Sequence, residues 1–281
     1  MKYKSCSHSL VFPATLLSIC IAMAVPPAAP ETTTSREDAF TSVSLVAVGD
    51  PPDPRFKIAN SRMKLQNVPE AEYPPTLLHV PKPDEKDKTD MITLGLNLPG
   101  QQVKLKGTNS LRLMEAMVTG GETTYKEWTT VKLPVMNEDL AVFLYRSSPG
   151  ASWRNSPRAI VLRNGPQAFP AHHVRLINLS RKTLLFQLEN AKTLSLGPME
   201  FRVVPAGQGE YYSYSVAYKE GDKLQIVARQ QACCMRADSR INLVAYESDT
   251  AVKCGRLPVT LRRFNELPQT TKVDVPDAGK P

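Results

Sequence analysis

The chain has little of what most metal centres and catalytic sites are built from. Its 281 residues include four histidines, five cysteines and two tryptophans. Beyond the first 24 residues the histidines are His79, His172 and His173. His172 and His173 are adjacent in an expected strand, so their side chains point to opposite faces and do not converge on one ion. No H-x-H, H-E-x-x-H or C-x-x-C spacing occurs, which argues against zinc and other transition metals. There is no G-x-S-x-G elbow to activate a serine and no glycine-rich loop to cradle a phosphate. The acidic run Asp84-Glu85-Lys86-Asp87-Lys88-Thr89-Asp90 lacks the glycine and closing glutamate of a calcium loop, and its lysines oppose a cation. It reads as a solvated loop, and no cofactor is expected.

Long hydrophobic runs are also missing. After residue 24 nothing approaches the ~18 continuous apolar residues of a transmembrane helix, so no membrane span is expected there. The first 24 residues are different. Lys2 and Lys4 precede an apolar stretch at 10–22, followed by the small-x-small sequence Ala22-Met23-Ala24 and then prolines. That order is a secretory signal peptide, with cleavage expected after Ala24. Leu17-Ser18-Ile19-Cys20 resembles a lipoprotein processing site, but Ile19 is too bulky for the narrow position before the cysteine. Anchoring through an acylated Cys20 is therefore the lesser expectation. Residues 25–39 form a Pro- and Thr-rich extended spacer, and residues 267–281 an open tail.

Three cysteines lie outside the leader: Cys233, Cys234 and Cys254. In an oxidising compartment they allow one intrachain bridge, from Cys254 to Cys234 or to Cys233. Such a bridge closes a loop of about 20 residues and is worth about 3 kcal/mol in the chain-entropy account. The alternative is that all three are reduced and behave as small hydrophobes.

The formal charge is +8, unevenly spread. Residues 25–100 hold 8 Lys and Arg against 11 Asp and Glu, whereas residues 101–281 hold 25 against 16. A basic surface outside the cytoplasm suits anionic glycans, anionic headgroups or acidic proteins, and the compartment argues against nucleic acid. The candidate basic surface is Arg229, Arg236, Arg240, Arg256, Arg262 and Arg263. The bland reading is a solvated surface without a partner. Tyr211, Tyr212, Tyr214, Tyr218, Trp128 and Trp153 offer stacking aromatics, although aromatics alternating along a strand more often fill a core.

Between the two ends the punctuation is that of strands. Short apolar or alternating runs recur at 40–48, 91–98, 102–105, 129–133, 140–145, 158–162, 174–178, 183–188, 199–204, 211–218, 223–228, 241–246 and 259–264. Leu184, Phe186 and Leu188 should face a core, and Gly221 in Glu220-Gly221-Asp222 should turn a hairpin with φ > 0. Residues 109–118 read as a short helix or a strand. Twenty-four prolines oppose long helices. The expectation is an all-β protein: an antiparallel β-sandwich, as two packed Ig-like domains (40–165 and 166–266) or one large sandwich.

Phe169-Pro170-Ala171 leads into Val174-Arg175-Leu176-Ile177-Asn178-Leu179-Ser180, and Leu194-Ser195-Leu196-Gly197-Pro198 follows. Across residues 169–198 this resembles uncharacterised exported bacterial β-sandwich proteins, with the last turn inverted to Gly197-Pro198. The resemblance implies a β fold and export, and brings no catalytic residues. Asn178 and Ser180 can close a turn by bonding local backbone. Taken together, the sequence points to a non-enzymatic binding or structural module of the cell envelope, in periplasm, at the membrane surface or in the medium. Its expected partner is an anionic envelope glycan or an envelope protein. The alternative is a hydrolase of envelope polymers, whose paired carboxylates only the fold would bring together.

Overall fold

The structure, a computed structural model, describes residues 40–59, 62–82, 85, 88–134, 137–189, 191–207, 209–249 and 257–266. The expected leader with its cleavage site and Cys20, the expected spacer and tail, Cys254 and Arg256 lie outside the described residues. Among those described, no helix is long and apolar enough to cross a membrane.

The chain is almost entirely β. Its strands in order are β1 (Phe40–Val48), β2 (Arg55–Ala59), β3 (Arg62–Gln66), β4 (Leu77–Pro81), β5 (Thr89–Thr93), β6 (Pro99–Lys106), β7 (Ser110–Thr119), β8 (Glu122–Lys132) and β9 (Asp139–Tyr145). They continue with β10 (Arg158–Arg163), β11 (His173–Asn178), β12 (Leu184–Leu188), β13 (Leu194–Leu196), β14 (Phe201–Pro205), β15 (Tyr211–Glu220), β16 (Lys223–Cys234), β17 (Arg240–Glu247) and β18 (Val259–Glu266).

Four sheets of four strands make two sandwiches with the same wiring. The first pairs sheet β10-β9-β1-β6 with sheet β5-β4-β7-β8; the second pairs β18-β17-β11-β14 with β13-β12-β15-β16. Reading each sandwich from its first strand, the eight strands take identical places. Among the described residues, the only parallel ladders between strands are also equivalent, β1 with β9 and β11 with β17. Among the described strands, only β2 and β3, paired as a two-stranded ribbon, lack a counterpart in the second sandwich.

Alternation explains the layers. On β1, Val43, Leu45 and Ala47 face the first sandwich core with Val142 and Leu144 of β9, against Leu78, Leu111, Leu113 and Trp128 of the facing sheet. The intervening Val46 and Val48 point the other way. They join Phe143 and Tyr145 of β9 in a third apolar layer with Ile177, Val244, Tyr246 and Phe264 of the second sandwich. Sheets covered on both faces read as near-continuous apolar runs, which is why Leu140–Tyr145 carries no polar residue. The second core holds Val174, Leu176, Ile241 and Leu243 against Leu184, Phe186, Tyr212, Val216 and Tyr218.

Several expectations meet their structure here. Leu184, Phe186 and Leu188 are buried, and Gly221 turns its hairpin at φ 59°. The 109–118 segment is strand, because β7 pairs along its whole length with β8. Trp128, Trp153, Tyr212 and Tyr218 are core residues, with only Tyr211 of the set exposed. Among the described residues Cys233 and Cys234 are free thiols; Cys254, the expected partner of one of them, lies outside those residues. Neighbours on one strand point to opposite faces, and Cys233 is packed in the core while Cys234 faces out. In a processed chain carrying Cys254→Ser, Cys234 should therefore take up one equivalent of a maleimide and the further change Cys234→Ser should abolish that label; equal labelling of Cys233 would contradict its burial.

Residues 169–178 are tied down by unusual contacts. Phe169 is fully buried, with the guanidinium of Arg175 3.9 Å and that of Arg240 5.1 Å from its ring centre. Arg175 is itself 1% exposed and donates to the Arg163 carbonyl and to Asn164 Oδ1. Burial pushes its pKa down to about 10, against the opposing pull of Glu266. Asn178 ends β11 with no exposed surface, as the closure expected of it requires. Its Nδ2 donates to the carbonyls of Lys182, Leu196 and Gly197, and its Oδ1 accepts from the Ser180 N–H and hydroxyl.

Candidate binding cleft and surfaces

The ends of equivalent strands meet where the two sandwiches join. In the ladders, Val48 lies beside Tyr145 on β9, and Leu179 donates its N–H beside Tyr246, to Ala245 of β17. Tyr145 and Tyr246 thus hold equivalent positions, and each crosses to the other sandwich. The Tyr145 hydroxyl donates to Met199 Sδ (3.3 Å), and the Tyr246 hydroxyl to Asp50 Oδ1 (2.9 Å).

Asp50 is the hub of this junction. It is buried, and its Oδ2 accepts from the Ser248 hydroxyl (2.6 Å) and the Asp249 N–H (2.9 Å). Arg262 Nε donates to the Tyr246 hydroxyl (3.2 Å). Burial beside the Asp50 carboxylate raises the Tyr246 pKa above the usual phenol range. Asp249 carries the network outward. It accepts from Arg146 (2.6 Å) and from the Gly150 N–H (2.7 Å), while Arg146 also donates to the Glu72 carbonyl. Burial lifts the Asp249 carboxyl above its ordinary value, and the Gly150 N–H and Arg146 pull it back. These carboxylates are held by donors from both sandwiches, so their first role is to fasten the junction.

Beside the network lies a cleft of about 250 Å³ whose walls include Arg146, Arg158, Arg181, Ser148, Met199 and Glu247. The three arginines differ. Arg146 is spent on Asp249 and the Glu72 carbonyl. Arg181 is largely exposed and makes a long, 3.5 Å contact with Glu247. Arg158 is exposed next to the Tyr145 ring and enters no salt bridge with a described carboxylate. Arg158 pairs with Tyr145 across the β9–β10 ladder; burial raises the Tyr145 pKa and the Arg158 charge opposes it.

No family model and no curated protein matches the chain. Its sites therefore rest on geometry.

The arginines singled out by sequence do not form one face. Arg240 is largely buried and donates to the carbonyls of Asn164 and Phe169 and to Glu266. Arg262 is held by Tyr246. Arg236 is exposed and paired with Asp238. Arg229 is exposed on β16, and Arg263 is exposed on β18 near Tyr212 and Cys233. Arg256 lies outside the described residues. A second groove, of about 520 Å³, runs past His172, Glu210, Cys234 and Arg236. His172 sits there at φ 56° with its Nδ1 buried and unpartnered. Among the described residues no group of three His, Cys, Asp or Glu side chains comes together to hold a metal ion.

Sequence reading missed β2–β3 altogether. The strands pair Phe56 with Leu65 and Ile58 with Met63 on one face, and Lys57 with Lys64 and Ala59 with Arg62 on the other. Phe56 is 56% exposed, Ile58 75%, Met63 70% and Leu65 69%, so the apolar face is bare. The signal was present as strict alternation, R-F-K-I-A then R-M-K-L-Q, divided by Asn60-Ser61.

Proposed function

We propose that the chain is an exported, non-enzymatic module of the cell envelope that binds an anionic glycan in the cleft between its sandwiches. The observation carrying this reading is Arg158, a guanidinium without a described carboxylate partner at the mouth of a cleft that Arg181 overlooks from the other sandwich. Two guanidinium groups, one at the start of β10 and one in the turn between β11 and β12, suit the carboxylate or phosphate of a sugar polymer. Asp50 and Asp249 are occupied by Arg146, Gly150, Tyr246 and Ser248, and Glu247 by the backbone N–H of Arg181, which favours binding over acid–base work at this place. The leader at 1–24 and the resemblance across 169–198 support export, and the bare ribbon described above supports work at a surface.

The test is calorimetric titration of the protein with an oligogalacturonate at moderate salt. Arg158→Gln with Arg181→Gln should weaken binding roughly tenfold or more, the worth of charge-assisted hydrogen bonds. Arg229→Gln with Arg236→Gln and Arg263→Gln should leave it unchanged. The opposite pattern would move the site to the second sandwich, and no binding at all would end the glycan reading. Arg262 is unsuitable as a probe, because its loss also strips a partner from Tyr246.

A further inference from the structure

We infer that the β2–β3 ribbon is a membrane-docking element that lays its apolar face into the interface of an anionic phospholipid bilayer. The inference is independent of the cleft. It rests on four properties of one short segment.

First, the ribbon is two-faced. Phe56, Ile58, Met63 and Leu65 share one side, and Lys57, Arg62 and Lys64 share the other. Second, nothing described covers the apolar side, and the four residues are more than half exposed. Third, the charge is of one sign. Residues 55–66 hold four basic residues and no acidic one, within a third of the chain that is otherwise acid-rich. Arg55 at the base pairs with Glu72, which leaves Lys57, Arg62 and Lys64 free of any described carboxylate. Fourth, the ribbon is an addition to a duplicated scaffold. The second sandwich passes from β11 to β12 through a short turn, where the first inserts the ribbon.

Size decides between a bilayer and a second copy. Two strands of five residues present a face of roughly 17 Å by 10 Å. That is about a quarter of the ~800 Å² each partner of a stable protein interface contributes, and two copies would bring like charges together. A bilayer sets no such minimum, because each apolar side chain partitions by itself. Amphipathic cationic elements bind in that plane by burying their apolar side a few ångströms into the headgroup boundary. The ribbon is narrow enough for lysine and arginine stems to reach round its free edges to lipid phosphates. Its edge N–H and C=O groups then stay among wet headgroups rather than in the acyl core. Each basic side chain near an anionic surface is worth about a fivefold gain in affinity.

The experiment is sedimentation of the full chain, as its host processes it, with vesicles of phosphatidylcholine alone or with a third phosphatidylglycerol. The wild type should bind the anionic vesicles and bind phosphatidylcholine at least tenfold more weakly. Ile58→Ser with Met63→Ser should lose anionic binding by tenfold or more, Lys57→Gln with Lys64→Gln by roughly twentyfold, and Val118→Ser, an exposed apolar control on β7, should behave as wild type. Ile58→Trp supplies a second readout, a blue-shifted emission on adding anionic vesicles. Oligogalacturonate affinity should be untouched by all the ribbon variants, which separates this inference from the cleft. Equal vesicle binding by wild type and the Ile58 and Met63 variant would overturn it. So would a wild type that ignores vesicles but is dimeric in a way that variant abolishes.

Discussion

Asn178→Asp is expected to destabilise the protein by about 4 kcal/mol, and Asn178→Ala by about 3 kcal/mol. Asn178 donates through one amide nitrogen to three carbonyls, those of Lys182, Leu196 and Gly197, from a position with no exposed surface. Alanine leaves three buried acceptors and the Ser180 donors without their partner. Aspartate keeps the acceptor for Ser180 but turns a second oxygen towards three others, so it adds repulsion and a buried charge to the lost bonds. The turn also fixes where β11 ends and where Met199, at φ 63°, accepts Tyr145 from the first sandwich. Thermal or urea unfolding reads the change directly, and a drop of roughly 10 °C is expected for a chain of this size. A variant within 2 °C of wild type would show that water replaces the amide, and the account of this turn would be wrong.

The second large effect is expected at Asp50. Asp50→Ala removes the acceptor for the Tyr246 hydroxyl, the Ser248 hydroxyl and the Asp249 N–H at once. Buried donors left unpaired cost about 1–3 kcal/mol each, and the total should reach about 4 kcal/mol. Its signature should differ from that of Asn178. Asp50 belongs to the first sandwich and its partners to the second, so the loss falls on the junction, while the two sandwich cores at Leu45 and Val216 are untouched. Unfolding followed by tryptophan emission reports the first core through Trp128 and Trp153, and near-ultraviolet signals of Tyr212 and Tyr218 report the second. In Asp50→Ala these two curves should separate where the wild type shows one. Coincident curves would mean that the apolar layer around Phe143 and Phe264 couples the sandwiches without help from Asp50.

The fold was legible where burial leaves a plain record. Residues 40–48 and 140–145 read as strands because both faces of their sheet are covered, and 184–188 because one face is. β4, Leu77–Pro81, was hidden by the proline that ends it and by His79. β2 and β3 were hidden by their charges, since a search for apolar runs passes over R-F-K-I-A although every second residue is apolar. The duplicated strand order left almost no trace. Position-by-position equivalence brings Tyr145 to Tyr246, but Arg146 to Glu247 and Ile160 to Arg262. What such positions share is where they point, which many side chains satisfy.

The site was less legible, for a different reason. Charge counts locate basic residues but not their partners. Arg240 and Arg229 look alike in sequence, yet one props up Phe169 and its loop while the other is exposed on its strand. Asp50 sits in Gly49-Asp50-Pro51-Pro52, an ordinary turn sequence, and its partners come from 196 residues or more along the chain. No local pattern encodes a contact of that span.

The parallel pairing of β1 with β9 bears on how the molecule is made. The Ser44–Leu140 hydrogen bond joins residues 96 positions apart, and Asp50 waits for Tyr246 far longer still. A chain emerging from its N-terminus therefore offers β1, an apolar strand with both faces meant for burial, well before the strand that flanks it exists. Chains dominated by such distant pairings fold slowly, over milliseconds to seconds or longer. Slow closure keeps a polypeptide threadable. It also makes residues 40–48 the segment a chaperone would need to shield until β9 arrives.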